Sequence, residues 1–218
     1  MTHECYQIAI DGPSGAGKST IAKAVASRLG IDYIDTGAMY RAIALKMIRQ
    51  GIPMEEGEKL ERMLSHTEID FSDGNVYLDG ENVKDLIRTP EISKAASDCS
   101  AFAMVRHKLV ELQQQMGNSK SVIMDGRDIG TVVLKNARYK FFLTADAEER
   151  ARRRYKELNE KGQKQSLQEV LEQIRQRDFN DTTREVTPLR KADDAEEIDS
   201  TSMSIDEVVK YICSKIEA

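Results

Sequence analysis

Gly12-Pro13-Ser14-Gly15-Ala16-Gly17-Lys18-Ser19 fills every fixed position of a G-x-x-x-x-G-K-[ST] loop. The apolar run Tyr6–Ile10 precedes it, and Ile21, Val25 and Leu29 follow at helical spacing. Such a chain must fold as strand, glycine loop and helix, with the loop's N–H groups converging on an anion at the positive end of the helix dipole. Lys18 then reaches the outer phosphates as a point charge, and the Ser19 hydroxyl suits Mg²⁺. The loop predicts binding of a nucleoside triphosphate.

Composition narrows the class. Among 218 residues, 40% are hydrophobic and 32% charged, the balance of a globular chain long enough for one large α/β domain. A net charge of −5 gives no global attraction to nucleic acid or anionic membrane, so phosphate affinity must come from local arginines. No apolar run approaches a membrane span, and Met1–Glu4 lacks a signal-peptide pattern. Cys5, Cys99 and Cys213 have no C-x-x-C spacing, and His3, His66 and His107 no metal-ligand spacing. A cytoplasmic monomer with free structural thiols is the expectation.

Strand-length apolar runs alternate with helical patterns, which predicts a five-stranded parallel sheet covered by helices. The expected strands lie near 7–10, 33–35, 121–124, 139–143 and 196–198. The expected helices span 18–29, 38–50, 55–64, 91–97, 102–116, 147–160, 167–179 and 205–216. Ser166 with Glu169 and Ser204 with Glu207 fit a capping box, Asp146 with Glu149 fits one loosely, and Thr89-Pro90 reads as a cap followed by a first-turn proline. Ile69–Phe71 and Val76–Leu78, set around Asp73-Gly74 and followed by Asp79-Gly80, predict a small antiparallel meander. The expected organisation is a core (about 1–51, 89–148 and 185–218), an insertion (about 52–88) and a helical lid (about 149–184).

Three polar clusters fall near predicted strand ends, the edge where open α/β sheets bind ligands. In Asp35-Thr36-Gly37-Ala38-Met39-Tyr40-Arg41, Thr36 can cap the next helix and Arg41 can reach phosphate. Taken alone, this segment reads better as an Asp/Thr cap followed by a solvated helix charge at Arg41. Asp125-Gly126-Arg127-Asp128 follows a buried-type strand; Arg127 suits an acceptor phosphate and Asp125 a Mg²⁺-bound water. The third cluster runs from Glu149 through Arg150, Arg152, Arg153 and Arg154 to Arg175, Arg177, Asp178, Asp181 and Arg184. Arg150 with Arg154, and Arg153 with Glu157, lie one helical turn apart, while Arg177, Asp181 and Arg184 can share one face. Two helices joined by Lys161–Lys164 make a lid, or else a salt-bridged hairpin in which Arg152 and Arg175 are only solvated charges.

These parts fit phosphoryl transfer to a phosphate acceptor. Arginines offset the repulsion between two anions, and a phosphate nucleophile needs no general base. A regulatory GTPase would need N-K-x-D, which the chain lacks. Kinases of UMP, AMP or shikimate, and a non-enzymatic nucleotide-binding module, remain alternatives at this level.

I-D-G-P-S-G-A-G-K-S-T, D-T-G-A-M-Y-R, D-G-R-D-I-G-T-V-V and R-D-x-N-D-x-x-R-x-x-x-P-L together resemble bacterial cytidylate kinases, in order from about Ile8 to Ile212. The resemblance implies transfer of the ATP γ-phosphate to CMP or dCMP with Mg²⁺. ATP would lie on Gly12, Pro13, Ser14, Gly15, Ala16, Gly17, Lys18, Ser19 and Thr20. Lys18, Arg127, Arg150 and Arg154 would be catalytic. Thr36, where the family also uses Ser, would hold the CMP phosphate with Arg41, Arg127 and Arg184, and Arg177 and Asp181 would hold the sugar. Ser97, Arg106 and Asp128 would read the cytosine, Asp128 accepting from its exocyclic amine. Without the resemblance, Ser97 and Arg106 read as ordinary helix-surface residues.

Overall fold

The computed structural model describes residues 6–72, 74–118, 120–160 and 162–216. Cys5, His3, Asp73 of the first meander turn and Lys161 of the lid loop lie outside the described residues. Of the described residues, those within Met1–Tyr33 and Lys120–Ala218 form one compact unit and those within Ile34–Ser119 another.

The first unit holds the sheet. Strand β1 (Gln7–Asp11) runs into the glycine loop and helix α1 (Lys18–Leu29), and β2 (Asp32–Asp35) follows. After the second unit come β6 (Val122–Gly126), β7 (Tyr139–Thr144), helices α6 (Ala147–Glu160) and α7 (Leu167–Thr183), β8 (Glu196–Asp199) and α8 (Ile205–Ile216). The parallel sheet has the order β2-β6-β1-β7-β8, as expected from the alternation of strand and helix patterns. β1 therefore sits at the centre, and its register sets Ile10 beside Asp125 and Asp11 beside Gly126.

Period-2 side-chain alternation explains the packing. Ile8, Ile10, Ile123, Phe141, Leu143 and Ile198 join Ile21, Ala22 and Val25 of α1 and Val208, Ile212 and Cys213 of α8 in one core. Ala9, Val122 and Met124, on the opposite face, are also fully buried, which is why these strands read as continuous apolar runs. Helices α6 and α7 have a small core of their own from Ala151, Leu158, Val170 and Ile174.

Cap chemistry sets several boundaries. The Ser166/Glu169 capping box is present, and Ser204 and Glu207 exchange the same pair of bonds. At α6, Glu149 instead accepts from Arg153 at 3.1 Å and the Asp146 N–H donates to Thr201, so the looser capping match does not form as a box. Arg153 thus pairs backward with Glu149, and Glu157 is taken by Arg154 at 2.7 Å.

The second unit comprises α2 (Thr36–Gln50), α3 (Glu58–Ser65), strands β3 (Ile69–Ser72), β4 (Asn75–Leu78) and β5 (Glu81–Asn82), α4 (Pro90–Cys99) and α5 (Ala103–Asn118). The three strands form the expected antiparallel meander, whose second turn takes positive φ at Asp79 (50°) and Gly80 (82°). Buried Lys46 of α2 ties this turn down, pairing with Asp79 at 2.6 Å and donating to the His66 carbonyl. Thr89 caps α4 by accepting from the Ile92 N–H, with Pro90 in the first turn. Among the described residues no helix is long and apolar enough to cross a membrane. Cys99 and Cys213 are buried free thiols, and burial pushes Cys99 up to about 12, which leaves it protonated and unreactive.

Because Ile123 lies at the centre of the sheet core with no exposure, Ile123→Ala should destabilise the protein by about 2–5 kcal/mol. Urea denaturation measures this, and a loss below about 1 kcal/mol would mean that the site collapses around the missing atoms.

Candidate active site

The glycine loop leaves β1 through Gly12 with φ +148°, and a Cβ there would stand 1.9 Å from the Leu143 carbonyl oxygen. Only glycine fits so close to β7. Gly17, at φ 89°, caps α1 in the left-handed region and turns the following N–H groups toward the loop. Lys18 is 6% exposed, and its ammonium curls back to donate to the Pro13 carbonyl at 2.7 Å. Burial, then the neighbouring Arg127, push its pKa down to about 7 against the opposing pull of Asp125, Asp181 and Asp11.

At the end of β6, Asp125 accepts the Ser19 hydroxyl at 2.8 Å on one oxygen and the Tyr33 hydroxyl at 2.7 Å on the other. Ser19 and Asp125 thus stand together as hard oxygen donors. Among the described residues no group of three or more His, Cys, Asp or Glu side chains is placed to hold a metal. A hydroxyl and one carboxylate fit Mg²⁺, which keeps waters and shares substrate phosphates, better than a cation that needs a full protein cage.

Beyond Asp125, Arg127 donates through Nε to Asp181 at 2.7 Å, fixing its fork beside the sheet edge. Burial works to raise the Asp181 pKa, but Arg127, Arg184 and Arg177 outweigh it and hold the carboxyl below its ordinary value. The Arg184 guanidinium, 7% exposed, lies 3.7 Å from Asp181 and 3.9 Å from Asp128, and its Nε donates to the Thr187 carbonyl. In this unit Lys18, Arg127, Asp128, Arg177, Asp181 and Arg184 therefore lie in one electrostatic group.

Two predicted lid arginines stand differently. Arg150 is 6% exposed and donates to the carbonyls of Ala145 and Ser14 and to Asp178, while Asp178 also accepts from the Ser14 N–H. In this state Arg150 braces the phosphate loop from beneath. Arg154 lies on the α6 surface, paired with Glu157. Of the arginines read as possible solvated charges, Arg152 and Arg175 do pair with Glu149 and Glu148.

In the second unit the helix cap differs from expectation. Asp35, not Thr36, caps α2, accepting from the Ala38 N–H at 2.9 Å and from Arg41 at 3.1 Å. Thr36 is the first helical residue and is buried. Arg106 is no surface residue: it is 1% exposed, donates to the Ser100 carbonyl at 3.1 Å and lies 5.5 Å from the centre of the Tyr40 ring. An arginine buried this deeply, beside an aromatic face, is a strong positional signal that helical periodicity does not carry. Ser97 is half-buried on α4, its carbonyl accepting from Ser100.

Fold and loop together define a P-loop nucleotide-binding protein of the kinase type. A solved shikimate kinase from Bacteroides thetaiotaomicron superposes with a TM-score of 0.50 at 14% identity, covering 98% of this chain and 99% of that one. An uncharacterized protein from Eubacterium ventriosum gives 0.53 at 13%, with the same coverage; at such identities the likeness concerns fold alone. The cytidylate kinase family profile matches residues 8–218. Cytidylate kinases from Caldicellulosiruptor bescii and Clostridioides difficile are 54% and 51% identical, over 94% and 96% of this chain and 92% and 97% of theirs. One from Caldanaerobacter subterraneus is 50% identical over 99% of this chain and 96% of its own. The chain belongs to the cytidylate kinase family and is an ATP-dependent nucleoside monophosphate kinase.

With Lys18 held near neutrality in the substrate-free protein, a bound polyphosphate should restore its proton, because an adjacent anion favours the charged form. ATP binding at pH 8 should therefore take up close to one proton. Titration calorimetry in buffers of different ionisation enthalpy reads this directly, and enthalpies that do not vary with buffer would contradict it.

Proposed function

We propose that the protein transfers the γ-phosphate of ATP to CMP or dCMP, giving ADP and the cytidine or deoxycytidine diphosphate. The observation that carries this reading is the grouping of Lys18, Arg127 and Arg184 around Asp125, Asp128 and Asp181 at the carboxyl ends of β1 and β6. Several cations in one group suit a reaction that brings two phosphate-bearing substrates together. Aspartate partners keep Arg127 and Arg184 oriented until substrate arrives.

The residues divide the work. Lys18 leaves the Pro13 carbonyl for the outer phosphates of ATP, which the Gly12–Thr20 backbone cradles. Ser19 and Asp125 would hold Mg²⁺ directly or through water, and the ion would supply positive charge against that of the phosphates. Arg127 already has its Nε on Asp181 and one terminal nitrogen on the Gly126 carbonyl, and its other terminal nitrogen serves the acceptor phosphate or the moving phosphoryl group. Thr36, Arg41 and Arg184 complete the CMP-phosphate set, and Arg177 and Asp181 take the sugar hydroxyls. Asp128 accepts from the cytosine amine, while Ser97 and Arg106 donate to its acceptor edge. Uracil presents a carbonyl to Asp128, a mismatch that leaves a buried polar group unpaired. Because a phosphate acceptor is already anionic, no side chain has to remove a proton.

A coupled assay with ATP against CMP, dCMP, UMP, AMP and shikimate tests the substrate. The expected order puts CMP or dCMP first, and a clear preference for UMP or AMP would overturn the base reading. Lys18→Ala and Arg127→Ala should each lower kcat on the order of 10²–10³-fold with the fold intact by circular dichroism. Near-normal turnover in either removes its assigned role. Chelation of Mg²⁺ should abolish turnover and its restoration should recover it.

A further inference from the structure

Asp11, the last residue of β1, immediately precedes the phosphate loop and has no part in the roles assigned above. It is 4% exposed, and each oxygen accepts one backbone hydrogen bond: Oδ1 from the Ile129 N–H at 2.8 Å and Oδ2 from the Gly130 N–H at 2.7 Å. Those two amides open the short π-helical turn Ile129–Val133, directly after Arg127 and Asp128. The far side of the turn closes on Asp128 itself, whose carbonyl accepts from the N–H groups of Val132 and Val133 at 2.9 and 3.3 Å. The backbone of residues 128–130 is thus held from one side by Asp11 and from the other by its own turn.

Keeping a carboxylate here is costly. Burial pushes Asp11 up to about 6, although both amides and Lys18 pull it down. A neutral side chain such as Asn would avoid that cost but offers a single acceptor oxygen, and two N–H groups need two. We infer that Asp11 is a positioning residue: its two oxygens clamp the turn that carries Arg127 and Asp128 to the strand that carries the phosphate loop, keeping the acceptor-binding groups in register with the donor site. The inference rests on the reading of Arg127 and Asp128 as CMP contacts. A carboxylate serving only the loop's own stability would affect ATP and CMP alike, whereas a clamp on the turn acts mainly on CMP.

Asp11→Asn keeps the side chain's size and one acceptor but sets an NH₂ group against the second N–H. The expected result is a KM for ATP within about twofold of the parent and a kcat/KM for CMP at least about tenfold lower. The CMP/UMP preference should narrow in the same direction as in Asp128→Ala. Parent-like constants for both nucleotides, or a KM for ATP that rises as much as that for CMP, would overturn the inference. Asp128→Ala in the same assay keeps the two ideas apart. If it leaves base preference intact while Asp11→Asn still weakens CMP selectively, the base reading fails and the clamp stands. If Asp128→Ala narrows the preference and Asp11→Asn changes nothing, the clamp fails and the base reading stands.

Should Asp11→Asn not fold, the parent protein decides by NMR. Lys18 from α1 and Asp128 from the turn face the carboxylate, while Lys140 of β7 has its ammonium on Asp194 and the Lys135 carbonyl. The Ile129 and Gly130 amide protons should lie downfield and shift together, with one midpoint, as the carboxylate is titrated. Amides indifferent to that titration would overturn the clamp.

Discussion

The parallel pairing of β1 with β6 is the constraint from which the site follows. With Ile10 beside Asp125 and Asp11 beside Gly126, the two strands end at the same height and release their loops side by side. One loop opens on Gly12 because Leu143 approaches too closely there for a side chain; the other carries Gly126-Arg127-Asp128. A slip of one residue would turn every alternating side chain to the opposite face and carry Asp125 to the apolar position of Met124. Fully buried Ile8, Ile10 and Ile123 make such a slip prohibitive. The apolar core therefore fixes the polar edge.

At that edge the charges hold one another in check. Lys18, Arg127 and Arg184 are gathered without a substrate, a like-charge arrangement that burial makes worse. Asp125 and Asp181 lie among them, and the falls in the pKa of Lys18 and Asp181 record the balance from each side. Removing a single carboxylate would leave buried cations uncompensated, a larger effect than the loss of one hydrogen bond. Preorganisation here means that the cations are oriented by their carboxylate partners in advance, so an anion meets fixed donors instead of ordering loose side chains.

What the sequence made legible follows from locality. Helices α1, α6 and α8 begin and end where their apolar periodicity places them, because that signal acts within a few turns. The meander was readable from two Asp-Gly turns between alternating segments. Long-range contacts were not. Arg106 has the helical spacing of a surface residue but is buried beside Tyr40, and Arg150 and Arg154, one turn apart, end with opposite fates. Periodicity gives the angle of a side chain about its helix, not what another element has brought to meet it. Asp35 displaced Thr36 as the cap because its longer reach satisfies both the Ala38 amide and Arg41. The π-helical turn after Asp128 depends on Asp11, more than a hundred residues away in sequence, so no local pattern announces it.

Thr187 shows the same logic in the backbone. A β-branched residue at φ 47° is strained by about 1–3 kcal/mol, since its Cβ crowds the chain in the left-handed region. Its carbonyl accepts from Arg184 Nε at 2.8 Å, and two residues on, the Leu189 N–H donates to the Asp181 carbonyl at 2.7 Å. The kinked segment after α7 thereby ties down both the arginine and the aspartate that the site draws from that helix. A relaxed conformation at Thr187 would turn its carbonyl away from Arg184 and leave the guanidinium, 7% exposed, short of a bond that burial makes expensive to lose. The strain persists because the arginine's position depends on it, so a local cost in the backbone is exchanged for a fixed cation at the sheet edge.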